Sequence, residues 1–328
     1  MSNKKSNKDI KSLVPISTNV TKVGKSLQIT NKLIKEIDSR ELTYPDDFRC
    51  PIPDENFQKV LKEDYNIEVV DGTVAYKDVK EITLLEFYGK KIHSLEGVEY
   101  LTSLITLICV NNNLTSIDVS KNTNIEDFRC NENDLKTLDL SKNIKLKRLD
   151  CDINKLTKLD VTKNISLEKL FFGNELIKEV DLSNNKKLEI LAFFGTQIKS
   201  LDISNNPSIT HLFCEKNQLT SLDVSNNPAL VVLSCWDNKL TSLDVSKNIN
   251  LTKLECYKNQ LTSLDVSNNT ALTKLYCSEN KLRLLDVTKN VALTFLNCCN
   301  NQLSSIDLNN NTKLKEVQLS GNPGEWLL

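Results

Sequence analysis

Leu251-Thr-Lys-Leu254-Glu-Cys256-Tyr-Lys-Asn259-Gln-Leu261-Thr-Ser-Leu264-Asp265-Val266-Ser267-Asn-Asn269 is the stretch that decides the fold. Its apolar positions are Leu251, Leu254, Cys256, Leu261, Leu264 and Val266. The spacing of two between Leu254 and Cys256 reads as a short strand with both side chains inward. The unit recurs. Asp265 is one of ten aspartates set 21 residues apart: Asp118, Asp139, Asp160, Asp181, Asp202, Asp223, Asp244, Asp265, Asp286 and Asp307. No insertion or deletion interrupts the step, so the chain is a stack of like units, a solenoid. One unit cannot fold alone, because its few buried side chains do not offset the ordering entropy of 21 residues. Stacking must supply the remainder through hydrogen bonds and burial shared between neighbours.

Three polar or thiol columns run with the period. An inward asparagine recurs as Asn112, Asn133, Asn154, Asn217, Asn238, Asn259, Asn280, Asn301 and Asn322. There the chain turns, and a buried amide can pair with backbone groups that the sheet leaves open. The cysteines Cys109, Cys130, Cys151, Cys214, Cys235, Cys256, Cys277 and Cys298 form a second column. Adjacent strands hold like residues about 4.8 Å apart with parallel Cβ vectors, a poor orientation for a disulfide. A metal needs converging ligands, which a straight column does not offer. The thiols are expected as a reduced packing ladder, with Cys50 outside the array and Cys299 pointing outward. Each aspartate is followed two residues on, in most units, by Ser or Thr. That spacing suits a turn in which the carboxylate accepts backbone N–H groups. Lys121, Lys142, Lys163, Lys247 and Lys289 follow three residues later and can reduce the repulsion along the column.

The pattern L-x-x-L-x-C-x-x-N-x-L resembles the leucine-rich repeat. The 21-residue length and the cysteine resemble the cysteine-ladder branch of bacterial internalin-like proteins, over about residues 82 to 322. Ser94-Leu95-Glu96-Gly97-Val98-Glu99-Tyr100-Leu101 is similar to the 22-residue internalin repeat, and the step from Ile92 to Leu114 is 22. The resemblance implies an α/β-type repeat solenoid, mostly β, with a parallel concave sheet, a thin convex side of short strands, turns or 3₁₀ segments, and a small helical N-terminal cap. In some relatives the stretch after that cap resembles a calcium loop. Here Asp71-Gly72 and Asp78 survive, but Ile67 and Val69 stand where oxygen ligands are needed, so no metal and no cofactor is expected.

Two adjacent units depart from the pattern. The cysteine position becomes Phe172 and then Phe193, and the asparagine position becomes Glu175 and then Thr196, with Gly173 and Gly195 nearby. Around them the outward positions turn aromatic. Seven consecutive units place Phe171, Phe194, Phe213, Trp236, Tyr257, Tyr276 and Phe295 beside the inward residues, with Ile190, His211 and Val232 among them. Six strand spacings of about 4.8 Å make this stripe roughly 29 Å long. Earlier units offer charges instead: Asp127, Arg129, Arg148, Asp150 and Asp152. Cross-strand aromatic pairing can stabilise a sheet without any partner. An apolar stripe of this length on one surface also points to recognition.

Four regions follow along the 328 residues: a disordered basic tail at 1–25, a helical region and cap at 26–81, the solenoid of about 12 repeats at 82–322, and an end segment at 323–328. Pro51-Ile52-Pro53-Asp54-Glu55-Asn56-Phe57 reads as a turn into a helix, with Asp54 as N-cap. Phe57, Val60 and Leu61 share one face of that helix. Thr30 through Ile37 reads as a short helix. Gly24-Lys25-Ser26 lacks the first glycine and the strand of a phosphate loop. Trp326 and the final leucines either fold over the end of the stack or meet a partner.

A net charge of −1 argues against a nucleic-acid partner, which calls for a basic face. No apolar run reaches the roughly 18–20 residues of a membrane span, and none of signal-peptide length follows the basic N-terminus. As written the chain reads as cytoplasmic, with leaderless secretion left open. The expected function is a non-enzymatic recognition module. It binds a protein partner on the concave sheet through Phe171, Phe194, Phe213, Trp236, Tyr257, Tyr276, Phe295 and His211, with Arg129 and Arg148 setting orientation. The alternative is a structural scaffold, or one that self-associates at its C-terminal edge. An enzyme is the weakest reading: His211 and Cys214 are its nearest pair, and they should point to opposite sides of the sheet.

Overall fold

The computed structural model describes residues 44–324. The expected tail at 1–25, the glycine–lysine–serine segment, the helix at Thr30–Ile37 and the fate of Trp326 all lie outside the described residues.

Each unit contributes one strand. After a small antiparallel pair, β1 (Arg49–Pro51) with β2 (Thr73–Ala75), a twelve-stranded sheet is laid down in chain order. Its strands are β3 (Leu84–Tyr88), β4 (Thr106–Val110), β5 (Asp127–Arg129), β6 (Arg148–Asp150), β7 (Lys169–Phe172), β8 (Ile190–Phe193), β9 (His211–Phe213), β10 (Val232–Ser234), β11 (Lys253–Glu255), β12 (Lys274–Tyr276), β13 (Phe295–Asn297) and β14 (Glu316–Gln318). All neighbours are parallel. Leu84 pairs with Thr106, a step of 22, and every later pair keeps a step of 21. The strands are short because only their middle residue and the one after β-strand exit point inward. Leu212, Leu233, Leu254 and Leu275 are fully buried, as are Cys214, Cys235, Cys256 and Cys277 behind them.

The strand exits through a left-handed residue in nearly every unit. Asn111, Glu132, Ile153, Lys216, Asp237, Lys258, Glu279 and Asn300 have φ between 47° and 56°, with Gly195 at 63° in the same column. The inward asparagine comes next and binds two units at once. Asn238 Nδ2 donates to the carbonyls of Cys214 (2.9 Å) and Cys235 (3.1 Å), while its Oδ1 accepts from the Leu219 amide (3.0 Å). These are buried backbone groups that the parallel ladder leaves unpaired, so the column is part of the stack's hydrogen bonding.

A second asparagine column closes the other side. Asn143, Asn164, Asn185, Asn206, Asn227, Asn248, Asn269 and Asn290 are fully buried, flanked by Asn122 and Asn311. Asn227 Nδ2, for example, donates to Ile203 O and Asn206 O of the preceding unit. The signal was in the sequence, since each stands four residues after a column aspartate. Those aspartates make local turns: Asp223 Oδ1 accepts the Ser225 amide at 2.9 Å, and all ten repeat the contact. Hydrogen bonds from Ser or Thr hold the carboxyls of Asp181, Asp202 and Asp286 below the ordinary range.

The first unit is covered by helix α1 (Glu55–Glu63), whose Phe57, Val60 and Leu61 are buried. Asp54 is its N-cap and also its clasp to the array. One carboxylate oxygen accepts Asn56 N and Phe57 N, and the other accepts His93 N and Ser94 N. Burial opposes ionisation of Asp54, but four backbone donors outweigh it and hold the carboxyl low.

The aberrant units keep the register but not the turn. Phe172 and Phe193 are fully buried and stack at 5.3 Å with planes 8° apart, close to the strand spacing. One expectation is corrected here. Glu175 does not take the inward asparagine's place; it is exposed, and Asn174 is buried instead, donating to Asn154 O at 2.7 Å. Asn174 also lacks the left-handed φ of its column. A carboxylate cannot donate to the carbonyls that the amide serves, so the chain turns one residue early. Thr196 does fill its place, donating its hydroxyl to Asn217 Oδ1 at 2.6 Å.

Candidate functional site

The outward face of the sheet carries three columns, set by the pleat. One precedes the inward leucine, one lies between leucine and cysteine, and one follows the cysteine. The seven aromatics occupy all three. Phe171, Phe213 and Tyr276 stand in the middle column, Phe194, Trp236 and Tyr257 follow the inward Cys or Phe, and Phe295 precedes its leucine. The stripe is therefore a stepped band. Phe194 is 38% exposed, and the other six rings are half-buried.

Within the band the rings pair across strands. Trp236 and Tyr257 stack at 5.0 Å with planes 8° apart, and Tyr276 meets Phe295 at 4.6 Å. Cations cover parts of it. The Arg148 guanidinium lies 4.7 Å from the Phe171 ring centre, Lys216 Nζ 5.1 Å from Trp236 and Lys253 Nζ 5.7 Å from Tyr276. Gly173 is needed where the band begins: a Cβ there would meet Phe194 O at 3.0 Å and the Phe194 ring at 3.1 Å.

The charged early strands close on themselves. Arg129 binds Asp127 through two nitrogens, at 3.0 and 2.7 Å. Arg148 lies 3.8 Å from both Asp127 and Asp150. Burial raises the Asp150 carboxyl, and burial together with Asp150 pushes Asp152 up to about 6. Arg129 and Arg148 thus sit partly exposed beside these carboxylates on the outward face, and Arg148 Nε, Asp150 Oδ1 and Asp152 Oδ1 are buried without a hydrogen-bond partner.

His211 and Cys214 do not meet. His211 faces outward with Nδ1 2.9 Å from Thr210 Oγ1, whereas Cys214 lies in the core, its thiol driven far above its ordinary value by burial. The whole ladder is free thiol and buried. Burial raises Cys256 to about 12, so its reactive thiolate is suppressed. Cys299 is the half-exposed thiol, 3.2 Å from Ser320 Oγ. Among the described residues no cluster suits a metal ion and no helix is long and apolar enough to cross a membrane.

A parallel sheet with inward leucines, a thiol ladder and an asparagine ladder at 21 residues defines a leucine-rich-repeat solenoid of the cysteine-ladder, internalin-like kind. The solved functional domain of InlJ from Listeria monocytogenes, which includes a cysteine ladder, is similar at a TM-score of 0.81 and 37% identity, over 85% of this chain and 63% of that one. Internalin J of Listeria monocytogenes is 37% identical over 71 residues, 22% of this chain and 8% of the relative. Internalin H of the same organism is 30% identical over 93 residues, 28% of this chain and 17% of the relative. The chain thus matches only a small part of these two proteins' length. No family model matches it.

Proposed function

We propose that the chain is a non-enzymatic recognition module that holds a protein partner against the concave sheet, with the stacked Trp236–Tyr257 pair as anchor. The observation that carries this reading is the stepped aromatic band on a rigid parallel sheet. Half-buried rings, already packed against neighbours, lose little freedom on docking and offer large contact areas. Leucine-rich-repeat proteins of this kind generally mediate protein recognition, which supports the reading.

Trp236→Ala combined with Tyr257→Ala tests it. Both rings lie outside the core, so the circular dichroism spectrum and urea midpoint should stay near the parent's. Capture of a partner by the immobilised chain should be lost. Capture undiminished by the double change would remove the concave reading.

A further inference from the structure

One carboxylate in the band has a cation near it, Lys216, but no close ion pair. Glu215 follows the inward Cys214 and lies in the column Phe194–Glu215–Trp236, with Phe213 two residues before it on the same outward face. It is half-buried, and its Oε2 is buried without a hydrogen-bond partner. The Ser234 hydroxyl donates to the carboxylate, and burial raises its pKa. The nearby Glu255 is different: it pairs with Lys253 at 2.9 Å. A desolvated carboxylate with an orphaned oxygen is costly unless a cation meets it.

The surroundings are acidic and aromatic together. Glu255, Glu215, Asp237 and Glu279 all act on the Tyr257 hydroxyl and, after burial, help drive its pKa to about 12. The ring of Trp236 already carries a cation: exposed Lys216 lies over it at 5.1 Å, and its charge also acts on Glu215. Gly195 borders a shallow notch of about 400 Å³ that shares Lys216 with this locus and is lined also by Glu175, Thr196 and Asp237, but not by Glu215 or Trp236. Nothing lies within 4 Å of where its Cβ would be.

Resting on the recognition reading above, we propose that this locus takes a cationic side chain of the partner, an arginine or lysine in an exposed basic segment, seated against Glu215 and the Trp236 ring. Charge complementarity argues for this occupant, because the rings supply a cation–π platform and the carboxylate the counter-charge. Lys216 occupies part of that platform and competes with the incoming cation.

The test uses the full chain with Trp326→Phe, which leaves Trp236 as the single tryptophan. Its fluorescence is followed while acetylated, amidated hexa-arginine is added, with hexaglutamate as the opposite charge. Hexa-arginine should give a saturable change that weakens with salt, and hexaglutamate should give none. Glu215→Gln, nearly isosteric, should weaken hexa-arginine binding about tenfold. Lys216→Ala should strengthen it. Glu179→Gln, the same charge change at an exposed position beside Asp181, should leave it unchanged. Equal binding by Glu215→Gln and the parent, equal losses from Glu215→Gln and Glu179→Gln, or preference for hexaglutamate would each overturn the proposal. Partner capture separates the two readings. If capture is lost in the Trp236/Tyr257 double variant but kept in Glu215→Gln, the concave reading stands and the cation site falls. If capture survives both changes, both fall.

Discussion

Strands β5 and β6 set their carboxylates beside arginines, whereas β9 to β11 set Glu215 among aromatic rings. Both regions hang on the same backbone with the same register, and their inward residues are buried leucines except for Phe128 in β5. In the early region Asp127, Arg129, Arg148 and Asp150 form a lattice within the sheet. Even so, Arg148 Nε, Asp150 Oδ1 and Asp152 Oδ1 there lack a hydrogen-bond partner, as Glu215 Oε2 does in the later region, where Lys253 pairs with Glu255. The difference teaches that a repeat scaffold separates stability from display. Inward positions must be nearly identical for rungs to stack, while outward positions are free to vary without disturbing the stack.

The pair Phe172 and Phe193 marks the boundary between the regions and gives the largest expected effect. Phe172→Ala should cost about 3–5 kcal/mol, since it removes a fully buried ring stacked on Phe193 and leaves a cavity that neighbouring Cys151 is too small to fill. Urea denaturation measures the cost; a loss below about 1 kcal/mol would mean that the two regions do not depend on this joint.

Ile153 sharpens the comparison from the early side. It is a β-branched residue at φ 47°, where the later units use Lys216, Asp237 and Lys258. Ile153→Asn should raise stability by about 1 kcal/mol, because Asn tolerates the left-handed region better. An unchanged or lower urea midpoint would show that the exit turn there is not strained.

Breaking the early lattice should matter less. Asp127→Asn should lower stability by up to about 1 kcal/mol, an amount typical of half-exposed ion pairs, and the loss should shrink at high salt. A salt-independent loss would show that packing rather than charge holds these strands.

The smallest expected effect is in pH. In the fold Asp152 titrates near 6, above the roughly 3.9 of an unfolded aspartate. The folded state therefore holds that proton more tightly, and the charged form carries a penalty above pH 6. That penalty fades as pH falls from about 6 towards 4. The column carboxyls such as Asp181 and Asp202 run the opposite way. Their contribution is present above the unfolded value of about 3.9 and is lost as pH falls through their lowered values. The urea midpoint should rise slightly from about pH 7 to 5 and drop below about pH 4. Asp152→Asn should flatten the first change and keep the second; a rise of parental size in that variant would assign it to another group.

Most of the scaffold was legible because stacking demands a strict period. The inward leucines, the thiol ladder and the N-cap Asp54 all stand where spacing placed them. Glu175 shows where spacing misleads. Alignment to the period put it inward, yet only an amide can donate to the carbonyls there, so Asn174 turned in. The second asparagine column has the same period as the aspartates, but its partners lie 21 and 24 residues back, which spacing alone does not reveal. The aromatic band was visible as residues, but not its three columns or its ring pairs.

By itself the sequence determined the rung and, outside the turn at Asn174 and Glu175, which side chains face in or out, because a two-residue pleat and a 21-residue step leave little freedom there. Only the tertiary structure decided which outward groups meet. Arg148 reaches Asp127 one unit away and stacks on Phe171 in the next, while Glu215 takes the Ser234 hydroxyl from the next unit and acts through its charge on the Tyr257 hydroxyl of the one after. Such contacts depend on rotamers and on neighbours distant in the chain, and periodicity constrains neither.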